Sequence, residues 1–189
     1  MTCSLRRRVA VCALGAAMLI AASVLPAAAA TDPTKWGKTF CSSLEKWAKT
    51  FDEGATDLQS SVGSDTTPAQ AKAVIVAFLG DATDTTSAFG DAVRAAGAPK
   101  VKNGAEIQSV IVEGIAGVEA LLGSITTQAG QLPTTDATTF RTAAQPILTQ
   151  LDGASAPFED AMDEVGSIKG SKQLQKAMKK TKACKFLTG

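Results

Sequence analysis

Only two cysteines, Cys41 and Cys184, remain once the first thirty residues are set aside, and they bracket nearly everything that follows. A bond between them would leave few topologies open, because the element carrying Cys41 must finish beside the element carrying Cys184. The pair predicts one disulfide tying the first helix to the last segment. It also predicts export, since such bonds persist in oxidising compartments.

The first thirty residues agree with that compartment. Arg6, Arg7 and Arg8 form a positive start, Val9 to Leu25 is apolar apart from Gly15 and Ser23, and Pro26 precedes Ala27 to Ala30. These are the three parts of a secretory signal peptide, cut after Ala30. The expected organisation is a signal peptide over 1–30 and a single helical domain over 31–189. An uncleaved N-terminal anchor is the alternative. Cys12 sits inside the apolar run with no lipobox-like Leu-Ala-Gly before it, which argues against a lipid anchor. The arginines leave general secretion and twin-arginine export both open. No second long apolar run is evident, so the mature chain is expected not to span a membrane.

Removing Arg6 to Arg8 leaves sixteen basic residues against eighteen acids, a net charge of −2. That balance does not suit nucleic acid. The charge is uneven: Thr31 to Val165 holds nine basic and eighteen acidic residues, while Gly166 to Gly189 holds seven lysines and no acid.

Capping residues and periodicity predict helices throughout. Asp32-Pro33 opens the first, with an acceptor at the N-cap and proline where no N–H is needed. Trp36, Phe40, Leu44, Trp47, Phe51, Ala55, Leu58 and Val62 follow at helical spacing, and Gly63 suits a C-cap. Thr67-Pro68-Ala69-Gln70 is a capping box for a second helix to Ala96, with Val74, Phe78, Ala82, Thr85, Phe89, Ala92 and Ala96 as its stripe. Gly97-Ala98-Pro99 stops it. Asn103-Gly104-Ala105-Glu106 is a third box, before Ile107, Val110, Ile111, Val118, Leu121, Leu122, Ile125 and Leu132. Within that helix Gly114-Ile115-Ala116-Gly117 is read as a close-packing face.

Pro133 ends the third helix, and Thr134 is the expected cap of a fourth. Its seam is Phe140, Ala144, Ile147, Leu151, Ala154, Phe158, Ala161 and Val165. Pro146 and Pro157 predict a kink or break in it. Ser171 is expected to cap a short final helix with Leu174, Ala177, Met178 and Thr181 inward and Lys172, Lys176, Lys179 and Lys180 outward. The fold class is therefore all-α: an antiparallel up-down four-helix bundle with a short C-terminal helix, helices one and four being neighbours.

The chain contains no histidine and no tyrosine. That removes Ser-His triads, Cys-His pairs, His-containing zinc sites and His or Tyr ligation of haem. A bonded Cys41 is no nucleophile. Glu159, Asp160, Asp163 and Glu164, like Asp81, Asp84 and Asp91, read as solvated helix faces rather than cation sites. Trp36 and Trp47 read as core. No catalytic, cofactor or metal residue is assigned. The lysine face of the last helix is the candidate contact surface, for anionic wall polymer or lipid headgroups.

Cys41, the Gly97-Ala98-Pro99 and Asn103-Gly104 turn, and the closing Ala183-Cys184 resemble features of small secreted or lipoprotein-like helical proteins of actinobacteria. The resemblance implies an exported helical fold and no activity. A secreted chorismate mutase would need several cations about a dicarboxylate, whereas Arg94 and Arg141 are the only arginines left. The expected function is an extracytoplasmic binding or interaction module with an extracytoplasmic partner. The alternatives are a carrier holding an apolar small molecule between helices and, least favoured, an enzyme using carboxylates and lysines about Arg94.

Overall fold

A computed structural model describes residues 30–61 and 65–188. The expected signal peptide, Ala30 apart, lies outside the described residues, as do Val62 and the expected Gly63 cap. The elements are α1 (Pro33–Ser61), α2 (Pro68–Ala96), α3 (Gly104–Gly130), α4 (Ala137–Asp152), α5 (Ala156–Ser167), α6 (Ser171–Met178) and a terminal 3-10 segment (Lys182–Thr188). The described residues are all-helical, without a β-strand; an isolated bridge pairs Thr31 with Pro99.

Helix α1 starts where its sequence says it should. The Asp32 carboxylate accepts from the backbone N–H groups of Thr34 and Lys35 at 2.9 and 3.1 Å, satisfying donors that the first turn leaves open. Thr67 and Gln70 make both halves of their capping box. Gly97 closes α2 with φ of 68°, a left-handed conformation that favours glycine, and donates to the Arg94 carbonyl.

Three expected caps differ. Asn103 adopts a left-handed backbone, so its side chain turns away from the helix and donates to Glu106 at 2.7 Å rather than capping α3. Asp136, not Thr134, caps α4: its Oδ1 accepts from Thr138 N and Thr139 N at 3.0 and 2.8 Å. A carboxylate also complements the positive end of the helix dipole. Ser171 is the first residue of α6 and is buried, its hydroxyl donating back to Gly166; Gly170, at φ of 107°, occupies the cap position.

The buried face of α2 is rotated from the expected stripe. Ile75, Leu79, Ala82, Thr86, Phe89 and Val93 are buried, while Val74, Phe78, Thr85, Ala92 and Ala96 are half-buried. The reason is that α2 packs against both α1 and α3. With two neighbours its covered arc is wider than one stripe, and the line between them is the deepest.

The contacts run antiparallel from helix to helix. Phe40 meets Phe89 and Phe51 meets Phe78 across α1 and α2. Gln108 on α3 donates to the Val93 carbonyl of α2, and Lys72 of α2 to the Leu132 carbonyl just past the end of α3. Gln128 on α3 pairs with Gln150 on α4 through two reciprocal amide bonds of 3.0 Å. Further along, α3 packs on α5, where Gly114 and Gly117 face Ala161 and Pro157.

The expected fourth helix is two helices. The chain breaks at 153–155, so that Pro157 falls in the first turn of α5, where its missing N–H does no harm. Pro146 stays inside α4. Helix α4 lies on α3, while α1 packs on α2, α6 and the 3-10 segment. The second half of α1 is consequently left open, and of its expected core residues Trp47, Phe51 and Leu58 are half-buried and Ala55 is exposed.

The Cys41–Cys184 disulfide is present, with Cα atoms 5.1 Å apart across a sequence separation of 143 residues. Cys41 is fully buried and Cys184 nearly so, beside Trp36 and Phe40 in the core.

Candidate functional site

An open groove follows directly from that break. It measures about 810 Å³ and runs between the second half of α1 and α4, with α2 contributing Phe78. Its apolar lining is Trp47, Phe51, Leu58, Phe78, Leu148 and Leu151. Leu148, 41% exposed, projects from α4 beyond the buried seam.

The aromatic side chains grade from the core into this groove. Phe89 is buried and lies 5.7 Å from Phe158 and 5.9 Å from Trp47, centroid to centroid. Trp47 stands 4.9 Å from Phe51, which meets Phe78 edge-on at 6.1 Å. Trp47 is held from behind, because its indole N–H donates to Thr86 Oγ1 at 2.8 Å while the Thr86 hydroxyl donates to the Ala82 carbonyl. The wall is thus preorganised: the ring cannot turn without giving up a hydrogen bond to a fully buried hydroxyl.

The rim is polar and partly acidic. Asp52, Asp152, Gln59, Gln145 and Ser155 line its edges. Smaller depressions beside it add Glu53, Asp57 and Asp81. A volume of this size, apolar within and polar at the lip, lies within the range of pockets that hold small organic molecules.

The other sequence candidates do not converge. Among the described residues no group of three or more His, Cys, Asp or Glu side chains is placed to share a metal ion. Glu159, Asp160, Asp163 and Glu164 lie on the exposed side of α5, and Asp81, Asp84 and Asp91 on that of α2. Arg94 pairs with Asp91 at 3.0 Å on an exposed surface, and Arg141 is exposed on α4. Lys172, Lys176, Lys179 and Lys180 are all exposed on or just after α6. Among the described residues the Asp136 carboxyl stands out electrostatically. It is held below the ordinary carboxylate value by the Thr139 side chain and by backbone N–H groups of Thr139 and Thr138, which is cap chemistry rather than a catalytic perturbation.

One described helix, α3, is long and apolar enough to cross a membrane by length and composition. That departs from the expectation of no further long apolar run. Here α3 packs between α2 and α5, and Ile107, Ile111, Ile115, Val118, Leu122 and Ile125 are covered by them and the rest of the core.

Periodicity placed Trp47, Phe51 and Leu58 on one face but assigned them to the core. Leu148 lay off the α4 seam and gave no signal. Comparison with family models, curated proteins and solved structures returns no match for this chain. What the groove does rests on its own chemistry.

Proposed function

We propose that this protein is an exported, non-catalytic helical binding protein that carries an apolar small molecule in the groove between α1 and α4. In this reading the chain is an up-down four-helix bundle whose fourth helix is broken into α4 and α5. The antiparallel contacts between successive helices support that arrangement. The positive and apolar start of the chain supports export. So does the buried disulfide, which suits an oxidising compartment.

The observation that carries the binding reading is the aromatic groove itself. Half-buried Trp47, Phe51 and Phe78 border an open volume of about 810 Å³, and apolar surface of that kind gains free energy when covered, at about 25 cal/mol per Å². An enzyme is less well supported, since the acids and Arg94 stand apart on solvated faces.

Native mass spectrometry of the protein recovered from a secreting host tests the proposal, together with titration of an uncharged naphthylamine fluorophore read against Trp47 emission. The expected result is saturable uptake of one probe per chain, abolished by Ala55→Trp. Ala55 is exposed and lines the groove, so the larger ring fills the volume without entering the core. Absence of saturable uptake, or uptake unchanged in that variant, would overturn the reading.

A further inference from the structure

The end of the chain presents an apolar pair that neither the groove nor the disulfide uses. Phe186 and Leu187 are 41% and 49% exposed and come shortly after Cys184 in the same 3-10 segment. The disulfide fixes this segment against α1, so the pair is held in place rather than left on a free tail. Leu187 borders a cleft of about 190 Å³ together with Gln175, Met178, Lys179 and Cys184. Leu187 and the lysine-bearing end of α6 therefore border one cleft, and exposed Phe186 is the chain neighbour of Leu187.

That surface is strongly cationic. Lys172, Lys176, Lys179, Lys180 and Lys182 are exposed there, and residues 166–189 contain no acid. The tertiary fold adds more positive charge than the segment carries alone. Gly37 of α1 packs on Met178, which brings exposed Lys38 alongside, and the Gly170 backbone abuts the Lys102 carbonyl. Asp32 and Glu106 of that end keep their charge while capping α1 and accepting from Asn103, and exposed Asp163 and Glu164 lie on α5, which packs on α6.

Lysines around fixed, exposed apolar side chains form the chemistry of interfacial docking. The ammonium groups are drawn to anionic headgroups while the apolar side chains enter the acyl boundary, and the lysine stems lie along the apolar layer. A soluble polyanion would engage the charge and leave Phe186 and Leu187 in water. We infer that the surface of α6 and the terminal 3-10 segment docks this protein on an anionic lipid membrane, with Phe186 and Leu187 as the inserted side chains. The groove begins at Trp47, about 9 Å along α1 from Cys41, and shares no lining residue with the cleft at Leu187, so the docking stands whether or not the groove carries cargo.

Vesicle flotation of the disulfide-intact protein from a secreting host tests this. Its N-terminus is determined by mass spectrometry and kept the same in all variants. Vesicles of phosphatidylcholine alone are compared with vesicles carrying about 30% phosphatidylglycerol, at roughly 0.1 M and 0.5 M salt. Binding is expected on the anionic vesicles at the lower salt, with little on the neutral ones. Phe186→Ser with Leu187→Ser should weaken it about tenfold or more, and Lys179→Glu with Lys182→Glu should abolish it. All four side chains are exposed, and unchanged circular dichroism checks the fold. No partition to anionic vesicles, or partition unaffected by the Phe186 and Leu187 changes, overturns the inference. Retention on a soluble polyanion such as polyphosphate without vesicle binding overturns it as well.

Discussion

At the scale of single residues, the close approach of α3 to α5 depends on missing side chains. A Cβ on Gly114 would lie 2.4 Å from the Ala161 Cβ and 3.0 Å from the Pro157 carbonyl oxygen, while one on Gly123 of the same helix would meet nothing within 4 Å. Gly114→Ala is therefore expected to destabilise by about 1–3 kcal/mol by forcing α3 and α5 apart. Gly123→Ala should stabilise by about 0.5–1 kcal/mol through helix propensity. Urea denaturation of the two variants checks both signs, and like effects at the two sites would refute the packing account. The Trp47–Thr86 bond permits a second test. Thr86→Val removes the acceptor of the indole N–H, and a loss of about 1–2 kcal/mol is expected, with a change in Trp47 emission. Trp36 differs, since its N–H is buried and meets no acceptor among the described residues. It contributes by burial and by stacking on Phe40 at 5.0 Å.

At the scale of elements, helix starts were legible wherever an Asp or Thr preceded a proline, as at α1 and α2. The cap of α4 was misplaced because Thr134, Thr135 and Asp136 are all capping residues, and which one starts the helix depends on where α4 meets α3. The Asp136 cap has a pH signature. Its folded pKa lies below the ordinary carboxylate value, so its contribution is complete above the unfolded value and is lost as pH falls through the folded one. Asp136→Asn keeps a capping oxygen without the titration. The stability difference between wild type and this variant, measured by denaturant melts at neutral and strongly acidic pH, should shift against the wild type in acid. A pH-independent difference would contradict the assigned cause. Thr67→Ala removes a box with both halves formed and should cost about 1 kcal/mol.

At the scale of the whole molecule, two features govern behaviour: the clip at one end and the opening toward the other. Closing a loop of 143 residues lowers the entropy of the unfolded chain, so the disulfide is expected to stabilise by up to about 5 kcal/mol. The oxidised protein should show no free thiol, and reduction should lower the thermal midpoint by roughly 10–20 °C. Because Cys41 and Cys184 are buried, reductant should react slowly until the protein opens. Alkylation of either cysteine without prior reduction would count against the bond. The groove is a whole-molecule property in the same sense. Its aromatic residues were visible as a stripe on α1, yet their openness arises from α4 leaning on α3 after the break at 153–155.

The sequence by itself determined what local chemistry decides: helical content, most helix ends, the glycine contact face of α3, the cysteine partners and the uneven charge. Each follows from residue types acting within a few positions of one another, or, for the cysteines, from there being no other cysteine after residue 30. Only the tertiary structure decided which arc of α2 is deepest, that Trp47, Phe51 and Leu58 face a groove rather than a core, and that Leu187 borders a cleft with Lys179. Those outcomes depend on how neighbouring helices divide the same apolar surface. A period identifies the apolar face of a helix, but not whether another element covers it.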